Sequence, residues 1–374
     1  MDLINQLKNN YYNIRGFRTD RKIIVIESDD WGGIRTRSKK DYELLNSRKI
    51  ISESAFNRYD SLEDNSDYES LFDMLSSVKD KNGESLKITT NFIVTNPDFD
   101  KIRKDKYEKY HFETFTSSYD RYNKQNNTLD LIKEGIDNNL IYPQFHGREH
   151  VQVEYWIRDL NKEFPKLLEG FNHNFFSFSI NEVSHYSYLS AFMCLSPNDL
   201  NPVKLRITEG LDIFKKIFNY NSISLIAPEN HIHNELLKHS ASLGIKTIQG
   251  ARVGLAGLHF DQDREKRRRF LGFKNNYKQL DLVRNVVFEP SASSIDWISK
   301  SFKEIENAFF WKKPAVICSH RFNYIGKLEL NNREKGLLQL KQLISHAQYK
   351  WPEIEFMTTE ELYNLIVEET INKK

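Results

Sequence analysis

Two carboxylates stand side by side at Asp29 and Asp30, after an apolar run closed by Glu27 and Ser28 and directly before Trp31, Gly32 and Gly33. Adjacent like charges at the end of a buried run repel unless a cation or a proton joins them, and the glycine pair lets the backbone turn sharply there. A solvated turn capping a helix is the plain alternative. A second stretch, 143–150 (PQFHGREH), places His146 and His150 four residues apart. Over a helical turn that spacing puts both imidazoles on one face, where their neutral nitrogens can bite one metal ion. In a chain with 11 His the spacing arises easily by chance. Beside Asp29 and Asp30 it gains force, because two imidazoles and one carboxylate leave metal positions open for water and substrate. A third stretch, Cys318-Ser319-His320-Arg321-Phe322-Asn323, ends an apolar run on one His. That residue can deliver a proton near neutral pH or simply hydrogen-bond at a barrel rim.

The elements that must position these groups read as alternating strands and helices. Runs rich in β-branched residues at 22–27, 87–95, 140–145, 222–227, 244–249, 283–289, 314–319 and 354–357 are separated by helical patterns at 68–77, 211–218, 295–309 and 334–346, with a capping-box start at 358–361. This layout predicts βα units and a mainly parallel sheet, and the strand candidates suffice for one barrel. In such barrels chemistry gathers at the carboxyl ends of the strands, which is where all three stretches fall. Asn96, Pro97 and Asp98 follow the second strand and line the mouth or make an ordinary turn. Residues 151–220 carry more helix than one crossover needs, and 250–281 form a long connection holding Arg264, Lys266, Arg267, Arg268 and Arg269. Both are expected to be insertions on the rim.

At 374 residues, with 39% hydrophobic and 28% charged side chains and only 15 Gly and 9 Pro, the chain is neither collagen-like, coiled-coil nor wholly disordered. A net charge of +2 selects no polyanionic partner, so nucleic acid is not expected. Cys194 and Cys318 lie in apolar stretches and read as buried free thiols, although one bridge is compatible with the count. No run has secretory character or approaches the roughly 18 apolar residues of a membrane span, so a cytoplasmic location is expected.

An acidic pair closing the first strand, H-x-x-x-H after a later strand and a lone His after the penultimate one, in that order, resemble the polysaccharide deacetylase family. These are the carbohydrate esterase family 4-like enzymes of chitin and peptidoglycan type, and the likeness spans residues 22–326. It implies an α/β fold, a distorted (β/α)7 TIM-like barrel with helical and loop insertions on the rim, filling 1–374 as one domain. It implies Asp29 as catalytic base, His320 as general acid, and Asp30, His146 and His150 as ligands of a divalent metal. Zinc is the expected ion, with iron, cobalt, nickel and manganese as alternatives. The implied reaction removes acetyl from an N-acetylated sugar or polysaccharide precursor.

The third family motif, an Arg two residues before a Pro, is altered here. Pro228 is kept, Ile226 takes the Arg position and Glu229 the aromatic one. In the family that Arg pairs with a fourth-motif Asp and holds the base; an Asp-Trp echo remains at Asp296 and Trp297, and Arg148, Arg284 and Arg321 are the candidates to replace the Arg. Trp31, Asn96, Pro228, Glu229, Arg321 and Tyr324 are expected to contact substrate, with Trp31, Trp297 and Tyr324 able to stack on sugar faces. The run 264–269 either clamps a phosphate, as in a nucleotide- or lipid-linked sugar, or is a solvated loop. Two other readings compete: a metal-independent glycoside hydrolase using Asp29 and Glu229, and a carbohydrate-binding relic that lost turnover with the Arg.

Overall fold

The run Ile23–Ile26 is buried on both faces, which a strand tolerates only between parallel neighbours with helices packed outside. In the computed structural model, which describes residues 10–123, 127–257 and 266–372, this run opens β1, Ile23–Trp31. Eight further strands join it in one sheet: β2 Ile88–Ile93, β3 Ile141–Gly147, β4 Ser224–Leu225, β5 Thr247–Gly250, β6 Leu280–Val283, β7 Val286–Val287, β8 Ala315–His320 and β9 Glu355–Met357. Their order is β6-β5-β4-β3-β2-β1-β8-β7, with β9 beside the start of β1, and every pairing is parallel.

The sheet is open by its ladder and closed by its chain. Its two edge strands, β6 and β7, are consecutive, with only Arg284 and Asn285 between them. Arg284 N donates to Gly250 O (3.0 Å) beside β5, and Asn285 N donates to Val316 O (3.1 Å) in β8. The Asn285 amide side chain adds bonds to Pro314 O (2.9 Å) and from Val316 N (2.8 Å). The two edges are therefore stitched together by two residues, and β6 with β7 forms the broken seventh stave of a distorted (β/α)7 barrel. The single strand expected at 283–289 is corrected to this break.

Helices Asn65–Ser76, Thr128–Asp137, Leu200–Phe218, Asn234–Ser242, Trp297–Phe310 and Leu330–Lys350 cover the outside. Within 151–220, Leu200–Phe218 sends Val203, Ile207, Phe214 and Phe218 into the barrel core and packs on β3, so it acts as a crossover. Val153–Asn161 and Pro165–Asn172 instead belong to a second apolar cluster, where Trp156, Phe171 and Phe175 meet Leu45 and Phe99 from two earlier segments. In 250–281, a hairpin pairs Val253–Leu255 with Lys266–Arg268; residues 258–265, including Arg264, lie outside the described residues. Among the described residues both cysteines are free.

Candidate active site

Successive side chains of a strand point to opposite faces, so Asp29 and Asp30 could not both serve one pocket from a regular strand. The pairing of β1 with β2 shows how they do. Ser28 is opposite Thr90 and Trp31 opposite Phe92, so three steps along β1 match two along β2, and the extra residue is a bulge at the acidic pair. Asp30 takes φ +73° there, a left-handed conformation costing about 1–2 kcal/mol outside glycine and most readily borne by Asp or Asn. Gly32 (φ +78°) completes the turn where any Cβ would come within 2.7 Å of Ile93 O. A matching irregularity sits in β3: Phe92 is opposite Phe145 and Ile93 opposite Gly147, which leaves His146 as the extra residue. The two bulges aim Asp30 and His146 at each other.

The result is a cluster of three side chains that could hold one metal ion. Asp30 Oδ1 lies 3.2 Å from His146 Nε2 and 3.4 Å from His150 Nε2. His146 closes β3 and His150 sits in the bend beyond it, so the expected shared helical turn is corrected: the bulge, not a helix, brings them together. His146 Nδ1 faces Ile226 O at 3.0 Å. A carbonyl has no proton to give, so Nδ1 carries the hydrogen and, in the neutral ring, Nε2 presents a lone pair to Asp30. Burial pulls His150 down to about 4, with Asp30 opposing and His146 and Arg35 adding to the fall. Burial pushes the Asp30 carboxyl up, but the imidazoles of His146, His150 and His320 outweigh it and hold it well below the usual range. Two imidazole nitrogens thus converge on one carboxylate oxygen, an arrangement that a shared proton or a cation makes favourable. The donor set, two imidazoles and one carboxylate oxygen, fits a divalent transition metal, zinc included.

Asp29 is held from behind. Arg284, at the break between β6 and β7, donates from Nη1 to Asp29 Oδ2 (2.5 Å), from Nη2 to Oδ1 (2.7 Å), and from Nε to Glu27 Oε2 (2.7 Å). Asn91 Nδ2 adds a bond to Asp29 Oδ1 (2.8 Å), and Gln249 Oε1 accepts from both Asn91 and Arg284. Burial pushes the Asp29 carboxyl up, but the charge and hydrogen bonds of Arg284, with His146 and His320, hold it below its ordinary value. For Glu27 burial wins over Arg284 and the carboxyl is raised. Of the three arginines considered as replacements, Arg284 is the one on Asp29: Arg148 pairs with Glu149 and Glu209, and Arg321 with Asp60 and Glu63.

His320 stands opposite Asp29 in the β1–β8 ladder, its Nε2 3.8 Å from Asp29 Oδ2. Its Nδ1 donates to Glu289 Oε1 (2.6 Å), and Asn323 Nδ2 holds the other Glu289 oxygen at 2.6 Å. Burial lowers the affinity of His320 for its proton, but Glu289, then Asp30 and Asp29, more than compensate and raise it to about 9. The imidazolium is thus present at neutral pH and can act as an acid through Nε2. A Glu289→Gln variant removes the main raising charge, so the alkaline limb of the pH–kcat profile should move down by roughly one to three units. A limb that stays in place would show that His320 is not the titrating acid.

Several expected contacts are corrected by burial. Trp31 is a core residue, packed on Tyr68 and Phe92 with its indole N–H given to Ser28. Tyr324 is fully enclosed and bonded to Ser319, and Trp297 packs at the edge of the barrel core. Asn96 spends its amide on Gly32 O and Ser118 and accepts from Ile34 N, so it ties down the turn after β1. Arg321, fully enclosed, is spent on Asp60, Glu63 and Gly33 O. A strand or turn hides half its side chains, and sequence neighbours of a ligand fall on either side. Asp296 is an exposed helix cap bonded to Ser299, and the acid that shares Arg284 with Asp29 is Glu27. Pro228 is buried under the loop, while Glu229 (φ +53°) is exposed at the rim and accepts from Ser190. Of the basic run, Arg267 and Arg269 pair with Asp281, and Arg269 is also bound to main-chain carbonyls of β5.

Asp29, Asp30, His146, His150, His320 and Glu229 line one cavity of about 260 Å³, with Phe56, Arg35, Ser179 and Leu189 among the other walls. Glu289, Asn91, Gln249, Phe56 and Arg35 carried no sequence signal beyond their residue type.

No family model and no curated protein matches this sequence. Among solved structures, the chain is similar to a candidate polysaccharide deacetylase from Mycobacterium smegmatis, at 9% identity and TM-score 0.44, over 95% of this chain and 94% of that one. It is similar to the 4-alpha-glucanotransferase of Thermococcus litoralis, at 12% identity and TM-score 0.43, over 92% of this chain but 40% of that one. A family 4 acetyl xylan esterase from Clostridium thermocellum, in complex with a cobalt ion, is similar at 11% identity and TM-score 0.38, over 92% and 91%. The solved structures that this chain resembles thus include carbohydrate-deacylating enzymes and a glucan transferase, and at these identities and TM-scores the likeness decides nothing about chemistry.

Proposed function

We propose that the protein is a metal-dependent hydrolase that removes the acetyl group from an N-acetylated sugar or polysaccharide precursor. The observation that carries this reading is Asp30 Oδ1 set against the Nε2 atoms of His146 and His150 at 3.2 and 3.4 Å, with Asp29 and His320 lining the same cavity. Asp30, His146 and His150 would hold the ion. When bound, a divalent ion polarises the acetyl carbonyl and lowers the pKa of water, worth several kcal/mol to the transition state.

The chain's own residues do the rest. Asp29 Oδ2 keeps a lone pair beyond its bond to Arg284, and it takes the proton of the attacking water. Arg284 fixes the plane of that carboxylate, and Ile226 O fixes the plane of His146. The amide N–H of Glu229, on the left-handed turn at the rim, faces the carbonyl oxygen as negative charge builds there. The water oxygen bonds to the acetyl carbon, the carbon–nitrogen bond breaks, and His320 Nε2 protonates the departing amine. Acetate and an amino sugar leave. That Arg284 and Glu289 hold the base and the acid favours an active enzyme over a binding relic.

The test is an acetate-release screen over N-acetylated monosaccharides, sugar nucleotides and chitin and peptidoglycan oligomers, with metal content measured on the same protein. Release of acetate by metal-replete protein is the expected result. Cleavage of a glycosidic bond by metal-free protein would instead favour the paired-carboxylate glycosidase.

A further inference from the structure

One wall of the cavity carries a cation that deacylation does not use. Arg35 follows the Gly32–Gly33 turn and lines both the 260 Å³ cavity and a recess of about 20 Å³ beside Asp30 and His150. Its side chain is 12% exposed, and its one ion-pair approach among the described residues is Nε to Asp60 Oδ2 at 3.6 Å, beyond hydrogen-bond distance. Asp60 gives its other oxygen, Oδ1, to Arg321, at 2.6 Å from Nη2 and 3.1 Å from Nε. The Arg35 guanidinium lies over the Phe56 ring, 4.9 Å from its centroid, and Phe56 also stands edge-on to His320.

The contrast with the neighbouring arginines is what gives this weight. Arg284 and Arg321 are as enclosed as Arg35 or more so, and each is saturated by carboxylates and carbonyls. A guanidinium has five N–H donors in a rigid fork, and Arg35 keeps them open towards the cavity with one long-range carboxylate behind it. Phe56 holds the plane but accepts nothing. The remaining walls carry Asp29, Asp30 and Glu229 together with His320 and Arg284, and Arg284 is spent on Asp29 and Glu27, so Arg35 is the guanidinium left to receive an anion.

We infer that Arg35 is the receptor for an anionic substituent, a phosphate or a carboxylate, carried by the substrate's sugar. The inference rests on the deacetylase reading for the acetamido sugar itself and adds that this sugar is acidic. The planar fork can grip either oxyanion through two parallel bonds, with Phe56 fixing its orientation. It also moves the anion clamp from the basic run, where Arg267 and Arg269 are held by Asp281, to the mouth of the site.

The experiment uses the zinc-loaded full chain and three probes: N-acetylglucosamine, its 1-phosphate, and N-acetylmuramic acid. Binding is measured by calorimetry and acetate release is followed in parallel, for wild type, Arg35→Met and Arg35→Lys. Met keeps the apolar stem over Phe56, and matching melting curves establish that each variant is folded. Wild type should bind at least one acidic probe about 10- to 100-fold more tightly than the neutral sugar. Arg35→Met should erase that preference and leave the neutral sugar unchanged, while Arg35→Lys, with charge but no fork, should fall between. The stronger of the two acidic probes identifies phosphate or carboxylate as the group read. Equal affinity of wild type for all three probes, or equal weakening of all three by Arg35→Met, overturns the inference. An intact acid preference with no acetate released from any probe supports the receptor and defeats the hydrolase reading instead.

Discussion

Removing the metal should abolish acetate release, with a loss of about three orders of magnitude or more after exhaustive dialysis against a chelator and recovery on adding zinc. The size follows from several kcal/mol of charge stabilisation at about 1.4 kcal/mol per tenfold in rate. Asp30→Asn should do the same permanently, because it keeps the shape of the side chain and removes the one formal negative charge of the ligand set. Its zinc content after dialysis should fall well below one equivalent while the fold persists, because the bulge that places residue 30 is made by the backbone. Full turnover by stripped protein would rule out the metal-dependent reading and return attention to Asp29 and Glu229 as a glycosidase pair. Measuring metal and rate on the same sample separates a lost ion from a lost fold.

Arg284→Met should be the most damaging change away from the metal ligands. The guanidinium answers two buried carboxylates, Asp29 and Glu27, and Met leaves both without their countercharge. Breaking a buried pair by removing one partner costs about 3–5 kcal/mol, readable as a fall in urea midpoint. The pH dependence has a definite sign. Without Arg284 both carboxyls are raised in the folded state above their unfolded values, so the folded form binds more protons and stability falls as pH rises through that window. The variant should therefore be least stable near neutrality and recover towards pH 5. In wild type Asp29 is lowered, so its contribution is present at neutral pH and lost only as pH falls through its folded value. Asp29→Asn placed on Arg284→Met should restore part of the stability but no activity. A neutral-pH stability equal to wild type would mean that Arg284 holds nothing.

The groups proposed to do chemistry were legible because each is local. Asp29 and Asp30 are adjacent, His146 and His150 are four apart, and all end apolar runs whose composition marks them as strands. The strands themselves were legible for the same reason: parallel strands buried on both faces read as continuous β-branched runs. What sequence spacing hid was the direction of side chains. Trp31 follows Asp30 and Tyr324 lies four residues after His320, yet both point into the core, and His146 reaches Asp30 through a bulge in β3 rather than a helical turn.

The chain order of an acidic pair, two histidines and a final histidine at strand ends, on a barrel of βα units, follows from residue type and period alone, because those depend on near neighbours. Which arginine holds Asp29, which acid holds His320, and which arginine lines the mouth were decided only in three dimensions. Arg284 reaches Asp29 because the sheet's two edges meet at residues 284–285, some 255 residues away in sequence. A long-range ion pair leaves no periodic trace, since any buried carboxylate can be answered by whichever guanidinium the closing of the barrel brings within reach.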